Sequence, residues 1–352
     1  VRISRTDRLE VFDKAWEAVN KHFYDPKFNG VDWPQMKKKY RPLAEAAADK
    51  IELQGVIRTM FGELHTSHLS VDNGIWYGSG LSYIRYGEQY VVRRAYPGSP
   101  AQLAGIEQGW ILRGAQGNCD GWNQKMMITF VDIGKRDRTF DLACGVIPRN
   151  ADDRPPAARM LDDAVAYVRF SLFSGSTASW FADQVAMRHS ASVMVIDMRD
   201  NGGGDIDAVL SCLNHFFAGK TVVGKARTRN GSEWKWQTKG AGSKAYGGQV
   251  VVLIDERSVS GAEVFAAAMQ ETGRGIVVGR RTSGNVLAAG SHKLPNGFKV
   301  NVAHSDFHTA KGVRLEGRGV TPDKPVDLQI KDVQEGRDPD LDRVRELLVS
   351  LR

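Results

Sequence analysis

Residues 192–205 read SVMVIDMRDNGGGD. The near-continuous apolar run is how a strand buried on both faces reads, as in a parallel sheet covered by helices. Gly202, Gly203 and Gly204 then let the backbone turn sharply and leave N–H groups unpaired. A helix is predicted over 205–218. Strand, tight turn and helix together predict an α/β core. The unpaired N–H groups suit an anion, either a phosphate or the oxyanion of a tetrahedral intermediate. Neither GxxxxGK[ST] nor GxGxxG is present, which argues against phosphate. A plain turn without a ligand is the alternative.

AYVRF (166–170), QVVVLID (249–255) and IVVG (276–279) read as further strands of that core. LPNGF (294–298) is a hairpin signal between SHKL and KVNVAH. Asp338-Pro339 caps a last helix with Leu341, Val344, Leu348 and Leu351 on one face. Upstream, DDRPP (152–156) reads as a linker. Before it, GLSYI and YVVRR are short strands, followed by PGSPAQLAGIEQGWIL, a turn and a short helix starting near Ser99. The first 72 residues predict three helices. Leu9, Phe12, Trp16, Val19 and Phe23 recur at helical spacing after Thr6 as N-cap. Asp32 and Gln35 form a capping-box pattern. Leu53 to Leu64 mark the third helix. The domains expected are 1–75, a helical region; 76–150, a small β domain; and 151–352, the α/β core.

A chain of 352 residues with 42% hydrophobic and 25% charged residues has the composition of a globular protein. No apolar run approaches the roughly 20 residues of a membrane helix. The start at Val1-Arg2 rather than methionine is what a trimmed or processed chain would show. The net charge of +7 is dispersed; the longest basic run is Lys37-Lys38-Lys39, with no interleaved aromatics, so nucleic acid is not the expected partner. Cys119, Cys144 and Cys212 allow one bridge, Cys119–Cys144, but read more simply as three buried thiols.

Three further segments carry chemistry. In RSVSGAEVFAAAM (257–269), Ser260 stands at a helix start, where serine ordinarily serves as an N-cap. As a nucleophile it would need a base and an oxyanion hole, to which the Gly261 N–H and the glycine turn could contribute. The next segment, RRTSGNV (280–286), holds no lysine or histidine. ELHTSHLS (63–70) offers His65 and His68 as general bases. It lacks the HExxH pattern of a metal site, so no metal is expected. Glu316, in RLEGRGVTPD (314–323), is otherwise a solvated glutamate.

The order and spacing of these segments resemble the C-terminal processing peptidase and tricorn families of serine peptidases. The resemblance covers most of the chain and includes the DxRxNGGG turn, the SxSxxE turn about 55 residues on, and the GRGVTPD close. It implies a ClpP/crotonase-like α/β core that works without a cofactor. Processing peptidases pair the serine with a lysine in a TxGK segment; here that segment is Thr282-Ser283-Gly284-Asn285. Asn285 cannot act as the base. The chain is then inactive, a Ser–Lys enzyme disabled at 285, or built like tricorn. The tricorn-like set implies Ser260 as nucleophile, His68 as base, and Ser67 with Glu316 holding the imidazole; Glu316 lies six residues before Pro322, as that motif requires. His65 matches less well. Gly202 or Gly203, with Gly261, would form the oxyanion hole. SPAQLAG (99–105) resembles a PDZ domain, which implies that Gly80, Leu81, Ser82 and Tyr83 receive a polypeptide C-terminus. The implied function is endoproteolysis of unfolded or C-terminally exposed polypeptides, in an extracytoplasmic compartment.

Overall fold

The computed structural model describes residues 2–117, 119, 124–148 and 154–350. Asp152 and Asp153 of the expected linker, and Leu351, lie outside them. At the centre is a six-stranded sheet. Its order is Lys324–Pro325, Ile276–Gly279, Gln249–Ile254, Val193–Asp197, Val165–Arg169 and Ala157–Met160. All neighbours run parallel except the last pair. Every residue of Val193–Asp197 is buried. Met194, Ile196, Val250 and Val252 pack on one face against helices Gly175–Met187, Ile206–Asn214 and Gly261–Glu271. Val193, Val195, Val251 and Leu253 pack on the other against Leu341, Val344 and Leu347 of the helix Pro339–Ser350. Burial on both faces is the reason the strand shows no alternation.

The helical region is not self-contained. Helices Arg5–His22, Trp33–Ala46 and Lys50–Gly62 share one apolar cluster with Leu287, Phe298, Val300 and Val302. The strand Ser70–Asp72 pairs with Lys299–Asn301, within the long strand Lys299–Thr309. That strand also pairs with Ala288–Lys293 and Val222–Thr228, and Glu233–Gln237 forms the outer edge of this second sheet. The expected cap Thr6 is corrected: Ser4 caps the first helix, its hydroxyl accepting from Asp7 N–H. Asp32 caps the second as expected.

Strands Leu81–Tyr86, Gln89–Ala95, Ile111–Gly117, Lys125–Val131 and Asp137–Ala143 form an antiparallel five-stranded sheet with its own core around Val92, Trp110, Ile128 and Phe130. The two-stranded pair Tyr77–Gly78 and Gly145–Val146 joins its entry and exit. The expectation of three free thiols is overturned. Cys119 and Cys144 are bridged across a Cα separation of 5.5 Å, and Cys212 is the buried free cysteine. Sequence spacing could not reveal that two distant strand ends meet.

Candidate active site

Ser260 stands in a backbone conformation that few residues adopt, with φ 55° and ψ −114°. This strain at a strand-to-helix junction is typical of an exposed nucleophile. The serine side chain makes no cap hydrogen bond. Its backbone is held instead: Ser260 N–H donates to Glu263 Oε2 at 2.9 Å and to the Asn285 carbonyl at 2.9 Å. Glu263 is fully buried and also accepts from Thr282 Oγ1 at 2.5 Å, Gly284 N–H at 2.7 Å and Asn285 N–H at 3.0 Å. Burial pushes its carboxyl above the ordinary value, and these donors pull against that shift. Glu263 is a positioning residue that the sequence displayed only as the last letter of a motif. A glutamate three residues after a helix-opening serine is the capping-box signal.

The glycine turn lies against this nucleophile turn. Val259 N–H donates to the Asn201 carbonyl at 2.9 Å, and Ser258 Oγ donates to the Met198 carbonyl at 2.8 Å. At Gly203, with φ +85°, a Cβ would lie 2.6 Å from Ser260 Cβ and 2.7 Å from the Val259 carbonyl oxygen. Gly203→Ala is therefore expected to destabilise the fold by about 1–3 kcal/mol and to abolish Ser260 labelling by a serine-directed probe. Thermal melting and labelling check the two effects separately.

The expected oxyanion donors divide. Gly202 N–H is taken by the Ser171 carbonyl at 2.9 Å, and Gly203 N–H by Asn201 Oδ1 at 2.9 Å. These two are corrected: neither N–H is available to a ligand in this arrangement. Asn201 is buried and also donates to the Phe170 carbonyl. The N–H groups of Gly204 and Gly261 have no protein acceptor among the described residues, and both glycines line the same cavity as Ser260.

On the other wall, His68 adopts φ 54°, in the left-handed region. The strand Ser70–Asp72 fixes its position by pairing with Lys299–Asn301. Ser67 Oγ lies 2.9 Å from His68 Nδ1 and 2.9 Å from Glu316 Oε2. Glu316 also accepts from Ser67 N–H at 3.1 Å and Val286 N–H at 2.8 Å. An ionised carboxylate only accepts, so the Ser67 hydroxyl proton points at Glu316. Ser67 Oγ must then accept from His68 Nδ1–H, which leaves Nε2 with the basic lone pair. Burial lowers the His68 pKa below its ordinary value of 6.5, and the Glu316 charge partly offsets this.

His68 and Ser260 line one cavity of about 440 Å³, together with Leu172, Trp234, Val264 and His304. No hydrogen bond joins the two side chains; such contacts commonly tighten only with substrate bound. His65 is exposed and does not line the cavity. No lysine lines it among the described residues, and Asn285 contributes its backbone rather than its exposed side chain. Segment 282–286 thus ties Ser260, through Glu263, to His68, through Val286 N–H, Glu316 and Ser67.

A model of peptidase family S41 matches residues 164–326, and one of the tricorn protease C1 domain matches residues 4–62. The core is a family S41 peptidase domain. The chain is 28% identical to tricorn protease homolog 2 of Streptomyces coelicolor over 97% of its own length and 32% of that protein's. It is 23% identical to the carboxyl-terminal-processing protease of a Synechocystis species, over 92% of this chain and 82% of that one. The chain therefore spans about a third of the first relative and most of the second. Among solved structures, the photosystem II D1 C-terminal processing protease matches at a TM-score of 0.61 and 21% identity, over 91% of this chain and 93% of that one. Mature CPAF complexed with lactacystin matches at 0.74 and 12% identity, over 99% of each chain. These structural matches show a shared fold.

Of the four residues expected to receive a peptide, Leu81 and Tyr83 pack against the core of their own sheet. Ser82 instead faces a cavity of about 600 Å³ between that sheet and the S41 core. Arg257, three residues before Ser260, donates to Ser82 Oγ at 2.9 Å and pairs with Asp200 at 2.7 Å. Arg93 pairs with Asp200 at 2.8 Å and with buried Asp255 at 2.9 Å. Gly80 has φ +77°, and a Cβ there would meet the Ser99 side chain, so the loop closes tightly on the cap of the short helix Pro100–Leu103.

Proposed function

We propose that this chain is a serine endopeptidase acting on unfolded or C-terminally exposed polypeptides, with Ser260 as nucleophile and His68 as base. The observation that carries the reading is the relay Glu316–Ser67–His68, which leaves Nε2 basic in the cavity that Ser260 lines. Serine is a weak nucleophile until a base takes its proton. Ser260 Oγ attacks the scissile carbonyl carbon as its proton passes to His68 Nε2. The imidazolium then protonates the leaving amine, and the acyl-enzyme is hydrolysed by water that His68 deprotonates. Glu316, through Ser67, holds the tautomer and offsets the imidazolium charge. The N–H groups of Gly204 and Gly261 receive the oxyanion, each worth about 3 kcal/mol in the transition state.

Among the described residues the edge strand Leu81–Tyr86 pairs on one side only, which supports recruitment of an extended C-terminal segment by strand addition beside the interdomain cavity. The Cys119–Cys144 bridge supports an oxidising, extracytoplasmic compartment. Incubating an unfolded protein such as casein with wild type and with Ser260→Ala tests the reading. Cleavage by wild type alone is expected; equal behaviour of the two would make the chain a binding protein on a peptidase fold.

A further inference from the structure

Trp234 and Trp236 lie two apart on the strand Glu233–Gln237 and so share one face of the second sheet. Both line the cavity that holds Ser260 and His68. Trp236 is buried and stacks on Phe307, with ring centroids 4.9 Å apart and planes 20° from parallel. Trp234 has no such cover among the described residues and is 41% exposed. Leu172, from the segment whose Ser171 carbonyl anchors the glycine turn, lines the same cavity and is 52% exposed. Scattered exposed apolar residues need no explanation, but two large ones converging on one cavity mark a binding surface. Ile206, Val264 and Val286 add further apolar surface to the wall. The ring supplies a large, rigid face at low entropic cost.

We propose that Trp234, with Leu172, forms the subsite for a bulky apolar side chain next to the scissile bond. This rests on the peptidase reading and names its substrate class. The occupant is the polypeptide substrate itself, because the wall is continuous with the nucleophile. Among the described residues, the ionisable groups on the cavity wall are His68, His304 and Asp205. Asp205 is exposed, and its side chain makes no cap bond to the helix it opens. It is the one feature that would favour a cationic side chain instead.

The test uses peptides with Phe, Leu, Ala or Lys at each position flanking the bond. At one of those positions, wild type is expected to favour Phe or Leu over Ala by roughly 10- to 200-fold in kcat/KM. Trp234→Ala removes that preference, lowering kcat/KM far more on the Phe and Leu peptides than on the Ala peptide, and Trp234→Phe retains most of it. Uniform loss on all peptides in Trp234→Ala, or a wild-type preference for Lys that Asp205→Asn removes, overturns the proposal. Equilibrium binding of the same peptides to Ser260→Ala, with and without Trp234→Ala, is the second arm. Discrimination that depends on Trp234 there, without cleavage by wild type, would sink the peptidase reading and leave the subsite standing. Cleavage without Trp234-dependent discrimination would sink the subsite alone.

Discussion

Ser260→Ala and His68→Ala are each expected to lower kcat on a polypeptide substrate by about 10⁶-fold, with no further loss when combined. The non-additivity follows from their acting as one unit: without the base the hydroxyl stays protonated, and without the hydroxyl the base has nothing to activate. Both variants should remain folded. Ser260 makes no side-chain cap bond, and His68 bonds through Nδ1 to a single hydroxyl. Steady-state kinetics with a melting curve as control checks this. A His68→Ala variant with near-wild-type turnover would remove the imidazole from the mechanism.

Glu316→Gln is expected to cost about 10⁴-fold in kcat. The carboxylate accepts three donors: Ser67 N–H on Oε1, and Ser67 Oγ and Val286 N–H on Oε2. An amide presents one oxygen and one NH₂ group, so at least one of those donors faces another donor. If the amide nitrogen turns to Ser67 Oγ, the hydroxyl proton is driven toward His68 Nδ1. That stabilises the tautomer with Nε2 protonated, which cannot act as base. KM should change little, because Glu316 does not line the cavity. The split between kcat and KM separates this role from general disruption of the site.

Much of the site was legible because each part is local. DNGGGD reads as a turn, RSVSGAE as a serine at a helix start, and Ser67-His68 and Glu316 as motif positions. Their assembly was less legible, since it depends on the strand Ser70–Asp72 pairing with residues some 230 positions later. Which glycine N–H groups stay open depended on backbone bookkeeping that no composition encodes. Gly202 and Gly203 look equivalent to Gly204 in sequence, yet Ser171 and Asn201 occupy their donors. The role of Glu263 follows from five partners spread over residues 260–285. Trp234 was hidden for another reason. EWKWQ has the alternation of an ordinary half-buried strand, and only the cavity distinguishes a covered indole from an open one. Asn285, the departure that most suggested inactivity, lies where only the backbone is used.

In the proposed mechanism an imidazole activates Ser260. The pH dependence of kcat/KM tests it most directly, because that profile reports groups in the free enzyme. The base must be neutral, so activity should be full above its pKa and fall as pH drops through it. Burial lowers the His68 pKa from 6.5, which puts the half-maximal point of the acid limb at or below that value. A limb centred well above pH 8 would indicate an amine base and contradict the account.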